Sequence, residues 1–140
     1  MNLKIAIIGS GPSAFYTAQS LLKQEIDYEI DIIEKLFSPY GLIRYGVAPD
    51  HQSTKNVTRV FERVLNNPKV EFFGAIEINN SPSIDDLLEI YDAVVIATGM
   101  AQDKKLNINE HNKDGYYGAT QFVNWYNGHP EYENLNPNLN

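Results

Sequence analysis

Four short apolar runs, separated by stretches of helical period, set the pattern of this chain. Ile5, Ala6, Ile7 and Ile8 are consecutive, as in a strand buried on both faces. Ala14, Phe15, Ala18, Leu21 and Leu22 then recur at helical spacing, and Glu29 to Ile33 predicts a second strand. Val57, Val60, Phe61 and Val64 predict a helix from Thr54 to Asn66, capped by Ser53 or Thr54 and ended by Asn67-Pro68. Lys55, Arg59, Glu62 and Arg63 fall off that stripe and read as its solvated face. A third strand is expected over Val70 to Ile78, its internal Gly74 marking a bulge or a close backbone approach. Ser83 with acids behind it predicts a capped helix through Tyr91, and Asp92 to Ala97 a fourth, buried strand closed by Thr98-Gly99. ATQFVNWYNGH predicts a last short helix with Phe122, Val123 and Tyr126 along one face. This order of strands and helices predicts an α/β protein, a Rossmann-like doubly wound parallel sheet.

The first strand and helix are joined by Gly9, Ser10, Gly11, Pro12, Ser13 and Ala14, a G-x-G-x-x-A turn. Gly9 makes the tight turn, Gly11 has no side chain to hold a pyrophosphate away, and Ala14 lets the helix approach the strand. Free N–H groups at the helix start face the phosphates, with the positive end of the dipole behind them. Glu34 ends the second strand where a ribose hydroxyl would lie, about 20 positions on from the turn. The same turn without a ligand is the alternative, but the strand–turn–helix–strand–acid context favours a dinucleotide. In such sheets the ligand lies beyond the carboxyl ends of the strands, where Gly9–Gly11, Glu34 and Thr98–Gly99 converge.

Residues 36–53, LFSPYGLIRYGVAPDHQS, have neither period. Their interleaved Leu42, Ile43, Tyr45 and Val47 are too apolar for open solvent, which predicts a ligand-lining loop.

Composition narrows the function. A net charge of −7 argues against non-specific nucleic-acid binding, which needs a basic footprint. The absence of cysteine removes disulfides, thiolate metal sites and any redox-active thiol pair. No apolar run reaches membrane-spanning length, and the first strand follows directly on Met1-Asn2, so the expected location is cytoplasmic. A length of 140 residues, 43% of them hydrophobic and 21% charged, fits one globular domain.

Taken in order, GSGPSAFYTAQSLL, EK, PYGLIRYGVAPDH, KNV, FFGAIEI, YDAVVIATG and FVNWYNGHPE resemble the adrenodoxin reductase-like ferredoxin–NADP(+) reductases, over nearly the whole chain. GLIRYGVAPDH is the most specific stretch. The resemblance implies an FAD enzyme that passes electrons from NADPH to a ferredoxin-like iron–sulfur protein. It puts the FAD pyrophosphate at Gly9, Gly11, Pro12 and Ala14, and the adenosine ribose at Glu34, with Lys35 beside it. Gly41, Leu42 and Arg44 would lie along the cofactor, and Gly46 and Val47 near the flavin ring. Ile76 would meet adenine through its backbone, and Thr98 and Gly99 would close beside the pyrophosphate. His51, in isolation a polar loop residue, would sit near the isoalloxazine as the candidate catalytic residue. Hydride transfer is the cofactor's chemistry, so His51 would orient groups there. Trp125 and Tyr126 match a family signature without an assigned role.

Three departures shape the expectation. The family continues past the equivalent of Asn140 into a second Rossmann unit for NADPH, and these residues hold no second G-x-G-x-x-G/A and no arginine cluster for a 2′-phosphate. NINEHNKDG stands where the family has Pro-Gly-Glu. The implied organisation is an FAD-binding Rossmann-like segment, 1–100, and a connecting segment, 101–140, leading to an NADP domain that is absent. The chain is expected to be the FAD-facing portion of such a reductase, as a fragment, a split-gene product or a relic, inactive alone and completed by a second polypeptide. A stand-alone dinucleotide-binding or regulatory module without redox turnover is the alternative.

Overall fold

A computed structural model describes residues 2–79, 81–100, 102–104 and 115–139. Its centre is a four-stranded, all-parallel sheet in the order β3-β2-β1-β4. The strands are β1 (Leu3–Ile8), β2 (Tyr28–Ile33), β3 (Val70–Phe73) and β4 (Ala93–Ile96). In register, Ile5 faces Ile30 and Ile7 faces Ile32 across β1 and β2. Alternation sends these four toward one face of the sheet, while Ala6, Ile8 and Ile33 go to the other.

On the first face lie α1 (Pro12–Leu21) and α4 (Thr58–Leu65). Phe15 and Phe61 are fully buried there and stack at 4.5 Å between ring centroids. Burying each is worth about 1.5–3 kcal/mol. The second face carries α5 (Ile84–Ile90), anchored by Leu87 against Ala6, Ile8 and Ile33. Helices on both faces make the sheet doubly wound. Ser83 and Asp86 form the expected reciprocal cap of α5: the Asp86 carboxylate accepts from Ser83 N at 2.8 Å, and Asp86 N donates to Ser83 Oγ at 3.1 Å. The Tyr91 hydroxyl donates to Asp31 on β2 at 2.7 Å, and burial followed by this carboxylate pushes the phenol up to about 12.

The expected helix from Thr54 to Asn66 is two pieces, α3 (Gln52–Lys55) and α4, with Val57 rather than Ser53 or Thr54 at the start of the second. Lys55 is drawn off its solvated face, donating to the carbonyls of Ile43 at 3.0 Å and Arg44 at 3.2 Å. Those carbonyls belong to a one-turn helix, α2 (Leu42–Tyr45), inside the loop expected to be irregular. β3 stops at Phe73, short of Ile78. At Gly74 a Cβ would stand 3.0 Å from the Phe37 carbonyl oxygen, the close backbone approach its glycine implied. β4 is an edge strand, and Ile96 is 63% exposed, so the fourth strand is not buried on both faces. α6 (Ala119–Tyr126) forms as expected, but its buried residue is Asn124, whereas Tyr126 is exposed. NINEHNKDG lies almost wholly outside the described residues. Among the described residues no helix is long and apolar enough to cross a membrane.

Candidate functional site

The strands β1, β2 and β4 end together, and a cleft of about 600 Å³ opens beyond them. That is the size of a small-molecule or cofactor site, roughly 300–1,000 Å³. The glycine turn forms its floor. Gly9 has φ +102°, and a Cβ there would collide with the Ala97 carbonyl of β4's exit. Gly11 is the opposite case: a Cβ would meet nothing within 4 Å and would stand in the cleft. Behind it starts α1, ten residues long, with Pro12 at its first position, where no N–H is needed.

Glu34 holds the turn closed. Its Oε2 accepts from Ser10 N at 2.8 Å and from Ser10 Oγ at 2.6 Å, and its Oε1 accepts from Leu36 N at 3.1 Å. A carboxylate offers about four acceptor sites, so a fourth donor, such as a ligand hydroxyl, still fits. The loop after β2 folds back over the turn: Tyr40 N donates to Ser10 O at 2.9 Å, and a Cβ on Gly41 would lie 3.0 Å from Gly11 Cα.

The remaining wall comes from far along the chain. Asp103 starts α6 by accepting from Thr120 N at 2.9 Å, a bond that holds its carboxyl below the usual carboxylate range. Past α6, Asn127 Nδ2 donates to Tyr45 O at 2.8 Å, and the His129 ring lies 4.7 Å from the Tyr45 ring. Pro130–Tyr132 is a 3₁₀ turn whose first N–H groups find an acceptor in His129: Glu131 N donates to its Nδ1 at 3.1 Å. Burial holds the His129 imidazole below its ordinary pKa, Lys35 adding to this and Glu131 and Glu34 opposing it. Lys35 Nζ meets Glu131 at 2.5 Å and Glu77 at 3.4 Å. The hydrogen bond to Glu131 is the largest of the influences that raise the lysine above its usual value.

Of the residues singled out from sequence, Gly9, Gly11, Pro12, Glu34 and Lys35 line the cleft, as do Gly41, Leu42, Ile76, Thr98 and Gly99. Ala14 is buried behind the floor. Arg44, Gly46, Val47 and His51 are not brought to it. Arg44 turns away, its Nε donating to Pro39 O at 2.9 Å and its guanidinium 5.3 Å from the Tyr40 ring centroid. His51 is exposed at the start of α3. Sequence reasoning missed Ser10, Asn124, His129, Glu131 and Tyr132, all in the lining. Only the polar run NGHPE hinted at His129 and Glu131, and nothing at Tyr132, since their place depends on α6 docking against the loop after β2.

No family model matches the chain. Individual relatives do, over nearly all of it. The mitochondrial NADPH:adrenodoxin oxidoreductase of Arabidopsis thaliana is 43% identical over 137 residues, 98% of this chain and 28% of the relative. The NADPH-ferredoxin reductase FprA of Mycobacterium tuberculosis is 43% identical over 140 residues, 96% of this chain and 31% of the relative. The solved structure of that FprA in complex with NADPH superposes with a TM-score of 0.94 at 42% identity, covering 98% of this chain and 31% of that one. The chain corresponds to part of an adrenodoxin reductase-like ferredoxin–NADP(+) reductase. It spans about 30% of the length of such relatives. In the solved FprA the matching part is about a third of the chain, and the TM-score shows that this chain has the same shape as that part.

Proposed function

We propose that this chain is the FAD-binding portion of a ferredoxin/adrenodoxin–NADP(+) reductase and that its cleft takes the ADP half of FAD. One observation carries the reading. Gly11 leaves open space at the start of α1, in the same cleft as a Glu34 carboxylate with acceptor capacity to spare. A pyrophosphate fits where the missing side chain would be. A ribose hydroxyl donates to Glu34, and Lys35 stands beside it. The backbone at Ile76 borders the adenine, and Thr98-Gly99 close the cleft at the exit of β4.

Bound FAD supplies hydride acceptance and single-electron release. This chain's residues bind and orient it. In this reading Gly46, Val47, Arg44 and His51 stand along the path toward the flavin ring rather than at the ADP end, which fits their position outside the cleft lining. NADPH is held by parts of the reductase beyond these residues, in the same or a second polypeptide, and the electron acceptor is a ferredoxin-like iron–sulfur protein. The relatives include mitochondrial and bacterial proteins, so kinship assigns no compartment.

Titration of the 140-residue chain with FAD, followed by flavin fluorescence, tests the reading. Saturable binding that Gly11→Val abolishes supports it. Binding that is absent, or indifferent to Gly11→Val, refutes it.

A further inference from the structure

Resting on that reading of the cleft, we infer that the His129–Tyr132 turn is a second, outer clasp on the nucleotide, in which His129 Nε2–H donates a hydrogen bond to the bound ADP moiety. The geometry of the ring carries this. Nδ1 already accepts from Glu131 N at 3.1 Å, so in the neutral imidazole the proton sits on Nε2. Among the described residues Nε2 meets no acceptor. The ring is fixed on both sides, 4.7 Å from Tyr45 and 5.2 Å from Tyr132 between centroids, and it lines the cleft. A held ring with one nitrogen satisfied and the other a donor is a preorganised binding group. A nucleotide offers it the acceptors it lacks, phosphate and ribose oxygens.

The clasp is also built to open. Its tie to β2 is the Lys35–Glu131 pair, with side chains 48% and 46% exposed, and exposed ion pairs contribute little. Asn127 Nδ2, donating to the Tyr45 carbonyl, and the His129–Tyr45 ring contact also hold it to the loop after β2. A ligand can enter by lifting the turn and is then covered by it.

Two substitutions separate the donor from the ring. His129→Gln places an amide N–H near the Nε2 position, whereas His129→Asn keeps an acceptor near Nδ1 and removes the donor. Titrating the 140-residue chain with ADP by calorimetry, we expect His129→Asn to weaken binding about tenfold and His129→Gln to stay near the parent. Equal affinities in all three chains overturn the inference, as do equal losses in both variants. A second measurement needs no variant: the His129 Nε2–H proton resonance should shift as ADP saturates the parent chain, and an unmoved resonance also overturns it. Gly11→Val separates the two levels. If it abolishes ADP binding while the His129 results go against expectation, only the clasp is wrong; if it leaves ADP binding intact, the cleft reading falls as well.

Discussion

Gly9 and Gly11 stand two positions apart in one turn and constrain it for opposite reasons. Gly9 is required by the fold: its φ of +102° and the Ala97 carbonyl leave no place for a side chain. Gly9→Ala should therefore lower the melting temperature, whether or not ligand is present. At Gly11 nothing lies within 4 Å, so Gly11→Val should melt within a few degrees of the parent yet lose FAD. Thermal melts beside FAD titrations check the contrast. Glu34 combines both kinds of role. Glu34→Ala leaves Ser10 N, Ser10 Oγ and Leu36 N without their acceptor, and Ser10 is buried, so stability should fall by about 1–3 kcal/mol in urea denaturation. FAD affinity should fall with it. Phe61→Ala, far from the cleft, should cost about 3–5 kcal/mol and leave the site's chemistry alone, because its ring fills the space between α1, α4 and the sheet.

The docked segment from α6 to Tyr132 gives a pH dependence with a definite sign. Facing the His129 ring are Glu131 on its own turn, Lys35 and Glu34 from the end of β2, and the rings of Tyr45 and Tyr132. Their net effect with burial lowers its pKa, so folding favours the neutral ring. Protonation would also put a hydrogen on Nδ1, where Glu131 N–H already points. The docking contribution is thus fully present above the unfolded value of about 6.5 and is lost as pH falls below it. Trp125, the one tryptophan, sits on α6 and reports the docking. Its emission should shift as pH falls below about 6.5 in the parent, and the shift should disappear in His129→Gln.

For the molecule as a whole, the expectation is binding without turnover. The reductases it matches are about three times its length, and these 140 residues hold one G-x-G-x-x-A turn, which in the proposed reading takes FAD with Glu34 at its ribose. A carboxylate there would repel a 2′-phosphate. Hydride transfer needs the nicotinamide about 3–3.5 Å from the flavin, and that positioning carries several kcal/mol of the barrier. The FAD-loaded chain should show no diaphorase turnover with NADPH and ferricyanide, and rates on the order of 10 s⁻¹ would contradict this. FAD affinity should also be weaker than that of a full-length reductase, by about tenfold for every ~1.4 kcal/mol of contact made elsewhere.

The strand–turn–helix–strand–acid unit was legible from the amino acids because its determinants are local. An apolar run long enough for one buried strand, glycines where φ or space demands them, and an acid at a fixed distance all lie within residues 4–34. Ser83 and Asp86 were legible for the same reason, being three residues apart. Family kinship was also legible, through GLIRYGVAPDH, although Arg44 and His51 in that stretch do not reach the cleft. What could not be read was whatever depended on distant neighbours. Lys55 looks like a solvated charge until α2 brings two carbonyls to it. β4 reads as buried because its apolar run resembles that of β1, yet it takes the edge of the sheet. His129 carries no signal of its own, and only the docking of α6 against Tyr45, 84 residues away in sequence, brings it to the cleft. Local pattern decides backbone conformation and one face of burial; which charges and rings meet is decided by contacts that no short window contains.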